Sequence, residues 1–426
     1  MSDASLAAPT PPTEPNASPS TVSQRRVVAL LLPAAAAMTS LYQGIQQILL
    51  PAQIEAIDAT AKISNLSIAA TASSVAAVIG LLSGGAISDR TWGRWGRRTP
   101  SLVVAAIVSA VLALGMGASS ALGPLVFFYS ALWFSANYYQ GALTAILPDR
   151  ISVERRGVGS AVLALAIPIG VVIGVNVAAQ TSRPVAYGVL AGLFLMGMAA
   201  LVLFAPEPAA PPRPCAHERL KIDVVAGVLG FVASFRSRDF TLAFVSRALM
   251  FFSVFTVSGY TYYILQDHIG VEALPGRNLQ HGVGTLVTIQ MVLCLLSAAV
   301  GGWLADRWRR PKLFVGASAI GMAFALAVPI ISPTWPAMIV LEVFLGLFFG
   351  AYLAVDLALM SLVLPDRESE GRDMAILAVA TSAPQILAPV IAGAMIGLFG
   401  YPFLFVFGAA TALLSGIVVF FIKSIR

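Results

Sequence analysis

Long apolar runs separated by short polar segments repeat along almost the whole chain. Twelve of them reach about 20 residues, the length an α-helix needs to cross the ~30 Å apolar core of a bilayer. They lack the strict alternation of outer-membrane barrel strands, and helices can satisfy all backbone hydrogen bonds inside lipid. We therefore predict an all-α membrane protein with spans at residues 27–51, 65–88, 99–118, 124–147, 157–179, 184–204, 240–266, 282–304, 312–331, 337–364, 373–398 and 401–422.

Two short strings occur twice in the chain, with the same separation between copies. Gly-Gly followed by Asp-Arg begins at Gly84 and again at Gly301, and Leu-Pro-Asp-Arg begins at Leu147 and again at Leu364. In both cases the second copy follows the first by 217 residues, which indicates a duplicated half. The duplication predicts two pseudo-symmetric bundles of six helices, an arrangement typical of membrane transporters.

The predicted organisation has four parts. Residues 1–24 are rich in Ala, Pro, Ser and Thr, which predicts a disordered cytoplasmic tail. The N-terminal bundle covers 25–204, a cytoplasmic linker with an amphipathic helix covers 205–239, and the C-terminal bundle covers 240–426. A signal peptide is not expected, because its cleavage would remove the first helix and break the symmetry of the two bundles.

Basic residues gather in alternate connecting segments. The chain has 26 Lys and Arg against 20 Asp and Glu, a formal net charge of +6. With the N-terminus inside, most of these basic residues fall in cytoplasmic segments, as the positive-inside rule requires. We therefore predict a multi-pass protein of the cell (inner) membrane with both termini in the cytoplasm. The basic loops are interpreted as topology anchors and not as a nucleic-acid surface.

Composition and motifs also restrict the function. The chain is 58% hydrophobic and 11% charged, more apolar than a soluble domain can hide. It contains no G-x-x-x-x-G-K-[ST] phosphate loop, and its three histidines are scattered without metal-ligand spacing. We expect no enzymatic activity, no cofactor, no metal and no nucleic-acid partner. The expected partners are a small-molecule solute, protons and the lipid bilayer, and a monomer is expected.

Polar side chains inside the spans indicate where a membrane protein encloses water. Spans 1, 4, 7 and 10 hold most of the Asn, Gln and charged residues, whereas spans 3, 6, 9 and 12 hold none. This distribution of polar residues in every third span predicts a water-filled cavity at the centre of the two bundles. The tyrosines after span 7 can line it or form an interfacial aromatic belt. Candidate substrate-binding residues are Gln43, Gln46, Gln47, Asn137, Gln140, Tyr260, Tyr263, Gln290 and Gln385.

Three charged residues lie well inside the spans. Arg247 and Asp356 lie ~10 Å and ~12 Å from the same surface, and an unpaired charge at depth costs at least ~2.5–3.5 kcal/mol. We expect them to form an ion pair, which either fastens two helices or acts as a gate. Glu342 shares a helix face with Asp356, ~21 Å away, and no basic residue matches its depth. It either carries the coupling proton or is a wetted carboxyl at the outer rim.

The repeated strings place glycine, aspartate and arginine at the turns after spans 2 and 8. Glycine permits close helix contact, aspartate can accept hydrogen bonds from a helix N-terminus, and arginine can pair with nearby acids. Such loops would stabilise one orientation of the halves and release in the other. The predicted gating residues are Gly85, Asp89, Arg90, Arg97, Arg98, Asp149, Gly302, Asp306, Arg307 and Asp366.

These hairpins resemble the two copies of the signature loop of the major facilitator superfamily. The resemblance to the superfamily covers nearly all of the chain. The longer first copy, from Ser88 to Arg98, is similar to that of the glycoside–pentoside–hexuronide:cation symporters and sucrose-type proton symporters, as are Arg247 and Asp356. The superfamily implies alternating access driven by an ion gradient, and the subgroup implies sugar-like substrates. Its sodium-coupled members place acids inside spans 2 and 4, which this chain lacks, so protons are the expected ion.

The function expected first is therefore proton-coupled symport of a sugar-like solute. A proton-driven exporter of drugs or metabolites is the alternative, and a non-transporting receptor or scaffold is a third. Drug antiporters usually have a Gly-Pro pair in span 5, where this chain has Ile167-Pro168. The aromatic lining of spans 7 and 10 would nevertheless suit amphipathic compounds: Phe251, Phe252, Phe344, Phe348 and Phe349.

Overall fold

The computed structural model describes residues 22–91, 95–209, 235–308, 310–363 and 370–423. Most of the predicted tail and of the linker, including nearly all of the predicted amphipathic helix, lies outside these ranges. In the described ranges the regular structure is helical. The long helices are α1 (Gln24–Ile57), α2 (Lys62–Asp89), α3 (Thr99–Ala118), α4 (Leu122–Thr144), α5 (Val153–Gln180), α6 (Arg183–Phe204), α7 (Arg238–Ser258), α8 (Leu279–Trp308), α9 (Pro311–Ile331), α10 (Trp335–Leu362), α11 (Glu370–Phe399) and α12 (Pro402–Phe420).

Most of these helices suit a bilayer in length and composition. Eleven are long and apolar enough to cross a membrane among the residues that the structure describes. The remaining one, α4, has 23 residues, but its Tyr, Trp, Asn and Gln side chains lower its hydropathy. Large apolar side chains such as Leu82, Ile331 and Leu398 are exposed on the surface, which suits contact with lipid tails.

The helix contacts of the first half are repeated in the second. In the first, α1 packs against α5 and α6, α4 packs against α2 and α3, and α3 also packs against α6. In the second, α7 packs against α11 and α12, α10 packs against α8 and α9, and α9 also packs against α12. Helices α1–α6 and α7–α12 are thus two pseudo-symmetric bundles, and the twelve-helix prediction is confirmed. The bundles meet along α2–α11 and α5–α8, which are themselves equivalent pairs.

Glycine allows the paired helices of each bundle to approach closely. A Cβ atom added to Gly84 of α2 would lie 2.1 Å from the carbonyl oxygen of Tyr138 on α4. A Cβ atom added to Gly350 of α10 would lie 2.3 Å from the carbonyl oxygen of Cys294 on α8. Backbone therefore packs on backbone at these crossings, as is common in membrane helix pairs.

Gly84→Ala is expected to destabilise the N-terminal bundle by about 1–3 kcal/mol, because the new methyl group forces α2 and α4 apart. Gly85→Ala is the matched control, since a Cβ atom at Gly85 meets nothing within 4 Å. Thermal unfolding of the purified protein in detergent measures the difference. Equal melting temperatures for the two variants would show that the α2–α4 crossing is not tight.

The first helix of each bundle departs from regular α-helix near one end. Helix α1 contains a π-helical segment, Ile45–Leu49, which includes Gln46 and Gln47. Beyond α7 the chain turns at Gly259, passes through a short helix, and continues as the π-helical segment Ile264–Gly270. π-Helical turns are frequent at functional sites. The two irregular segments therefore make the same end of both bundles a candidate location for a functional site.

Hydrogen bonds join the two bundles toward that end, which we call the far end. The described chain begins at residue 22 and ends at residue 423 at the opposite end, which we call the terminal end. Ser67 of α2 donates to the carbonyl oxygen of Pro389 on α11 (3.0 Å). Asn176 of α5 donates to the hydroxyl of Thr288 on α8 (2.8 Å). The far end is thus closed by direct contact between the bundles.

Candidate functional site

A buried ion pair lies inside the C-terminal bundle. Nη1 of Arg247 on α7 lies 2.7 Å from Oδ2 of Asp356 on α10, and the Asp356 side chain is only 4% exposed. Nε of Arg247 donates to the Thr381 hydroxyl of α11 at 3.0 Å. The guanidinium also lies over the ring of Phe251, 5.6 Å from its centroid. One arginine therefore links three helices of this bundle.

The ion pair leaves hydrogen-bonding capacity unused on both partners. Oδ1 of Asp356 is buried and has no hydrogen-bond partner in the described part of the chain. The nearby Tyr352 hydroxyl is likewise buried and has no hydrogen-bond partner there. The described contacts of Arg247 use Nε and Nη1, which leaves Nη2 available. Leaving a buried polar atom unpaired costs about 1–3 kcal/mol. Such atoms mark places where water or a ligand can bind.

One face of α10 carries two buried carboxylates with an aromatic layer between them. Glu342 is 6% exposed, and its Oε2 has no hydrogen-bond partner among the described residues. Between Glu342 and Asp356, the rings of Phe349 and Tyr352 stack at 6.4 Å, and both contact Phe251 of α7 edge-on. The site thus combines carboxylates, one cation and aromatic surface.

The N-terminal bundle contributes amide side chains of α1 and α4. Oε1 of Gln43 is buried without a partner in the described ranges, and Nδ2 of Asn137 donates to the Trp133 carbonyl oxygen of its own helix (2.8 Å). The rings of Tyr42 and Trp133 lie 5.1 Å apart and connect the two helices. We call the following five half-buried residues the amide group: Gln43, Gln46, Gln47, Asn137 and Gln140.

The other two predicted amides lie at helix contacts. Gln290 of α8 is 8% exposed, and its carbonyl oxygen lies beside Gly346 of α10. Gln385 of α11 is half-buried, and its carbonyl oxygen accepts a hydrogen bond from Ser74 of α2 at 3.2 Å. Their backbones therefore take part in packing. Neither side chain makes a hydrogen bond within the part of the chain that the structure describes.

The tyrosines after α7 are buried, so they form no exposed interfacial belt. The Tyr260 hydroxyl donates to the Pro389 carbonyl oxygen, and the Tyr263 hydroxyl donates to the Pro51 carbonyl oxygen of α1, both at 2.9 Å. The two rings are 1% and 0% exposed, and Tyr262 is 7% exposed. Tyr263 thus joins the bundles at the far end, and its hydroxyl is already occupied.

A cluster that the sequence analysis missed lies at the far end. Nζ of Lys62 lies 3.1 Å from Glu55 Oε1 and 2.8 Å from Asp267 Oδ1 in the other bundle. Gln266 donates to Glu55, and Tyr401 donates to Asp267 Oδ2 at 2.6 Å. Burial and the Asp267 carboxylate raise the pKa of Tyr401, so its hydroxyl stays a donor. We call these five residues the far-end latch; separately, each is an ordinary polar residue near a span end.

The first predicted gating loop forms a cluster at the terminal end. Nε of Arg98, a side chain only 4% exposed, lies 2.8 Å from Asp149 Oδ2, and its Nη1 donates to the Ser88 hydroxyl at 2.5 Å. Its Nη2 also pairs with Asp89, as does Arg97 at 3.3 Å. The cluster ties together α2, the start of α3 and the short helix Ile146–Arg150 that follows α4. All these partners belong to the N-terminal bundle, so this part of the predicted gate lies within one half.

The other predicted gating residues have different surroundings in the structure. Gly85 has open space around it, and Arg90 is exposed. In the second copy, a Cβ atom at Gly302 would meet Ala354 at 3.7 Å, and Arg307 lies over the ring of Trp303 at 5.7 Å. The side chain of Asp306 and the whole of Asp366 lie outside the described residues.

Comparisons with known proteins agree on the fold. A sequence model described as Major Facilitator Superfamily matches residues 32–276 and 273–425. No curated protein sequence matches the chain. A mutant of nucleoside transporter NupG is similar in structure (TM-score 0.72, 12% identity, 92% of this chain and 99% of that one). A mutant of peptide transporter POT gives 0.71 and 13%, covering 92% of this chain and 93% of that one.

Proposed function

We propose that the chain moves a small sugar-like solute together with protons. It belongs to the Major Facilitator Superfamily, and it is a secondary transporter and not an enzyme. The observation that carries the proposal is the set of polar side chains that the two bundles offer. The amide group of α1 and α4 offers donors and acceptors suited to hydroxyl groups. One face of α10 offers two buried carboxylates, Glu342 and Asp356, that can bind and release protons.

The proposed cycle follows from where the bundles touch. The far-end latch closes one side, and the Arg98 cluster holds three helices of a single bundle together. Opening the far end requires Lys62 to separate from Asp267, while the Arg98 cluster can move with its own half. The basic connecting segments support the proposal that the terminal end faces the cytoplasm and that the protein lies in the cell (inner) membrane. The proposed moving units are residues 25–204 and 240–426 of a monomer, joined by the linker.

Proton coupling is assigned to Glu342. Its carboxyl group is buried and has no cation beside it in the described part of the chain, so it must bind a proton or meet water to avoid an uncompensated charge. Exposure to water on alternate sides of the membrane would let it pick up and release that proton. The Arg247–Asp356 pair is assigned to the solute, because Asp356 Oδ1 has no hydrogen-bond partner among the described residues and the described contacts of Arg247 use only Nε and Nη1.

Glu342→Gln is expected to abolish proton-driven accumulation while leaving exchange of solute across the membrane. The amide cannot bind the proton, although it keeps the shape of the side chain. The test uses purified protein in proteoliposomes with an inward proton gradient and a solute selected by thermal-shift screening. Wild-type uptake should rise at least about tenfold with the gradient, equivalent to about 1.4 kcal/mol of driving force.

The matched control is Glu272→Gln, which changes a carboxylate whose side chain is 81% exposed in a connecting loop. This variant should keep full gradient-driven uptake. If Glu342→Gln accumulates solute as the wild type does, the proton is carried elsewhere.

Export of amphipathic compounds is the second candidate. The observation that favours it is the aromatic layer of Phe251, Phe349 and Tyr352 beside the ion pair, which can stack against a flat apolar ligand. The two functions differ in direction. Extrusion of a fluorescent dye driven by a proton gradient would support export, whereas solute-dependent alkalinisation of the medium would support symport.

A further inference from the structure

We propose that the transported solute is a hydroxylated monocarboxylate whose carboxylate binds Arg247 in place of Asp356, and that Asp356 then holds a co-transported proton. The inference rests on the proposed function, since it names the solute class and the proton acceptor of the same cycle. It gives the single coupling proton a second acceptor besides Glu342, so one proton still crosses with each solute. It also gives the ion pair a role beyond fastening α7 to α10.

The geometry of Arg247 fits a second carboxylate. A guanidinium can bind a carboxylate through two parallel hydrogen bonds, and this is its strongest arrangement. Asp356 uses one oxygen on one nitrogen, at 2.7 Å, and its other oxygen is buried without a partner in the described ranges. Phe251 covers one face of the guanidinium, so a ligand must approach along its edge. A carboxylate that took both Nη1 and Nη2 would bind better than Asp356 does.

The charges account for the coupling. Arg247 is the one cation well away from the helix ends in the described spans, and the amide group of the other bundle carries no charge. An anion added beside the neutral ion pair would leave an uncompensated negative charge in a low-dielectric site, which is costly. A proton bound to an Asp356 carboxylate oxygen removes that charge. One proton and one monoanion then cross together, and no net charge moves.

Among the residues that the structure describes around the ion pair, no other titratable group replaces Asp356 in this role. Around the ion pair, α8 offers the Cys294 thiol and α10 itself offers Tyr352, neither of which is an acid at neutral pH. On α11, Asp373 lies eight residues before Thr381, or ~12 Å along the helix. On α9, Lys312 lies at the terminal end and donates to the Ile422 carbonyl oxygen.

The two bundles differ at this point, which argues that the fold itself does not need the ion pair. At the repeat separation of 217 residues, Arg247 corresponds to Leu30 and Asp356 corresponds to Tyr139. The N-terminal bundle instead connects α1 and α4 through the ring contact between Tyr42 and Trp133. A six-helix bundle of this type therefore forms without a charge pair.

The first test compares acids with matched neutral solutes in proteoliposomes containing the full chain. The pairs are D-gluconate with D-glucitol and D-glucuronate with D-glucose, each supplied under an inward proton gradient. At least one acid should be taken up tenfold or more faster than its neutral partner. Its uptake should not respond to an imposed membrane potential, because symport of a proton with a monoanion is electroneutral.

The outcomes separate this inference from the function on which it rests. Potential-sensitive, proton-driven uptake of a neutral solute, with no preference for its acid, would overturn the monocarboxylate and leave proton symport standing. Acid uptake that ignores the proton gradient would overturn proton coupling, and with it the role of Asp356. If no acid is preferred over its partner, the proposal is wrong.

The second test asks directly whether a carboxylate can reach Arg247. Asp356→Ala removes the internal carboxylate and leaves the guanidinium unpaired, so formate should raise the melting temperature of this variant and formamide should not. The double variant Arg247→Met/Asp356→Ala has no cation and should not respond to formate. If formate stabilises the single and double variants equally, or neither, no carboxylate site exists at Arg247.

Discussion

Replacing Lys62 with Met is expected to open the far end of the transporter. The Lys62 side chain is 13% exposed and separates Glu55 in its own bundle from Asp267 in the other. Without the ammonium group, two carboxylates face each other across the contact, and the closed state loses an ion pair between the bundles. A partly buried link of this kind contributes about 1–3 kcal/mol, which shifts the balance between closed and open states by about 5–150-fold.

A disulfide trap measures this shift. A Cβ atom at Gly393 of α11 would lie 3.0 Å from the Cβ of Ser67 on α2, so Ser67→Cys with Gly393→Cys can cross-link only while the far end is closed. Cross-linking should slow markedly when Lys62→Met is added to a background without other cysteines. Arg277→Met is the control, because it removes an ion pair whose side chains are 74% and 81% exposed. An unchanged cross-linking rate in Lys62→Met would show that the latch does not hold the bundles together.

Most of the fold could be predicted from the sequence because the bilayer imposes length and polarity on every span. The apolar runs gave twelve helices, and the repeated strings at Gly84 and Gly301 gave the two bundles. The helix pairs that touch were not predictable from the pattern, since they depend on which small residues face each other. Nor was the π-helical segment Ile45–Leu49, because its backbone change leaves no mark in hydropathy.

The candidate site could be predicted only where an isolated charge required a partner. Depth alone indicated the pairing of Arg247 with Asp356, because an unpaired charge inside a bilayer is costly. The same reasoning gave no sign of Thr381, whose hydroxyl is one among many in the chain. It also missed Lys62, since a lysine near a span end needs no explanation until its neighbours are known.

Removing one member of the central ion pair is expected to have the largest effect on stability. Arg247→Met leaves the Asp356 carboxylate, 3% exposed, without its counter-ion, and this should cost about 3–5 kcal/mol. Changing both members, Arg247→Met with Asp356→Leu, should restore stability to that of the wild type or above, because the desolvation of two charges is also removed. Thermal unfolding in detergent measures both effects.

In the double variant Arg247→Met with Asp356→Leu, transport should remain absent although the stability is restored. A pair that only fastened α7 to α10 could be exchanged for apolar side chains without loss of uptake. A pair that binds solute or proton cannot, because Met and Leu offer neither a guanidinium nor an acid. The charge-swapped variant, Arg247→Asp with Asp356→Arg, sharpens the distinction: it keeps an ion pair but moves the cation away from Phe251 and Thr381. Uptake recovered by either double variant would reduce the pair to a structural contact.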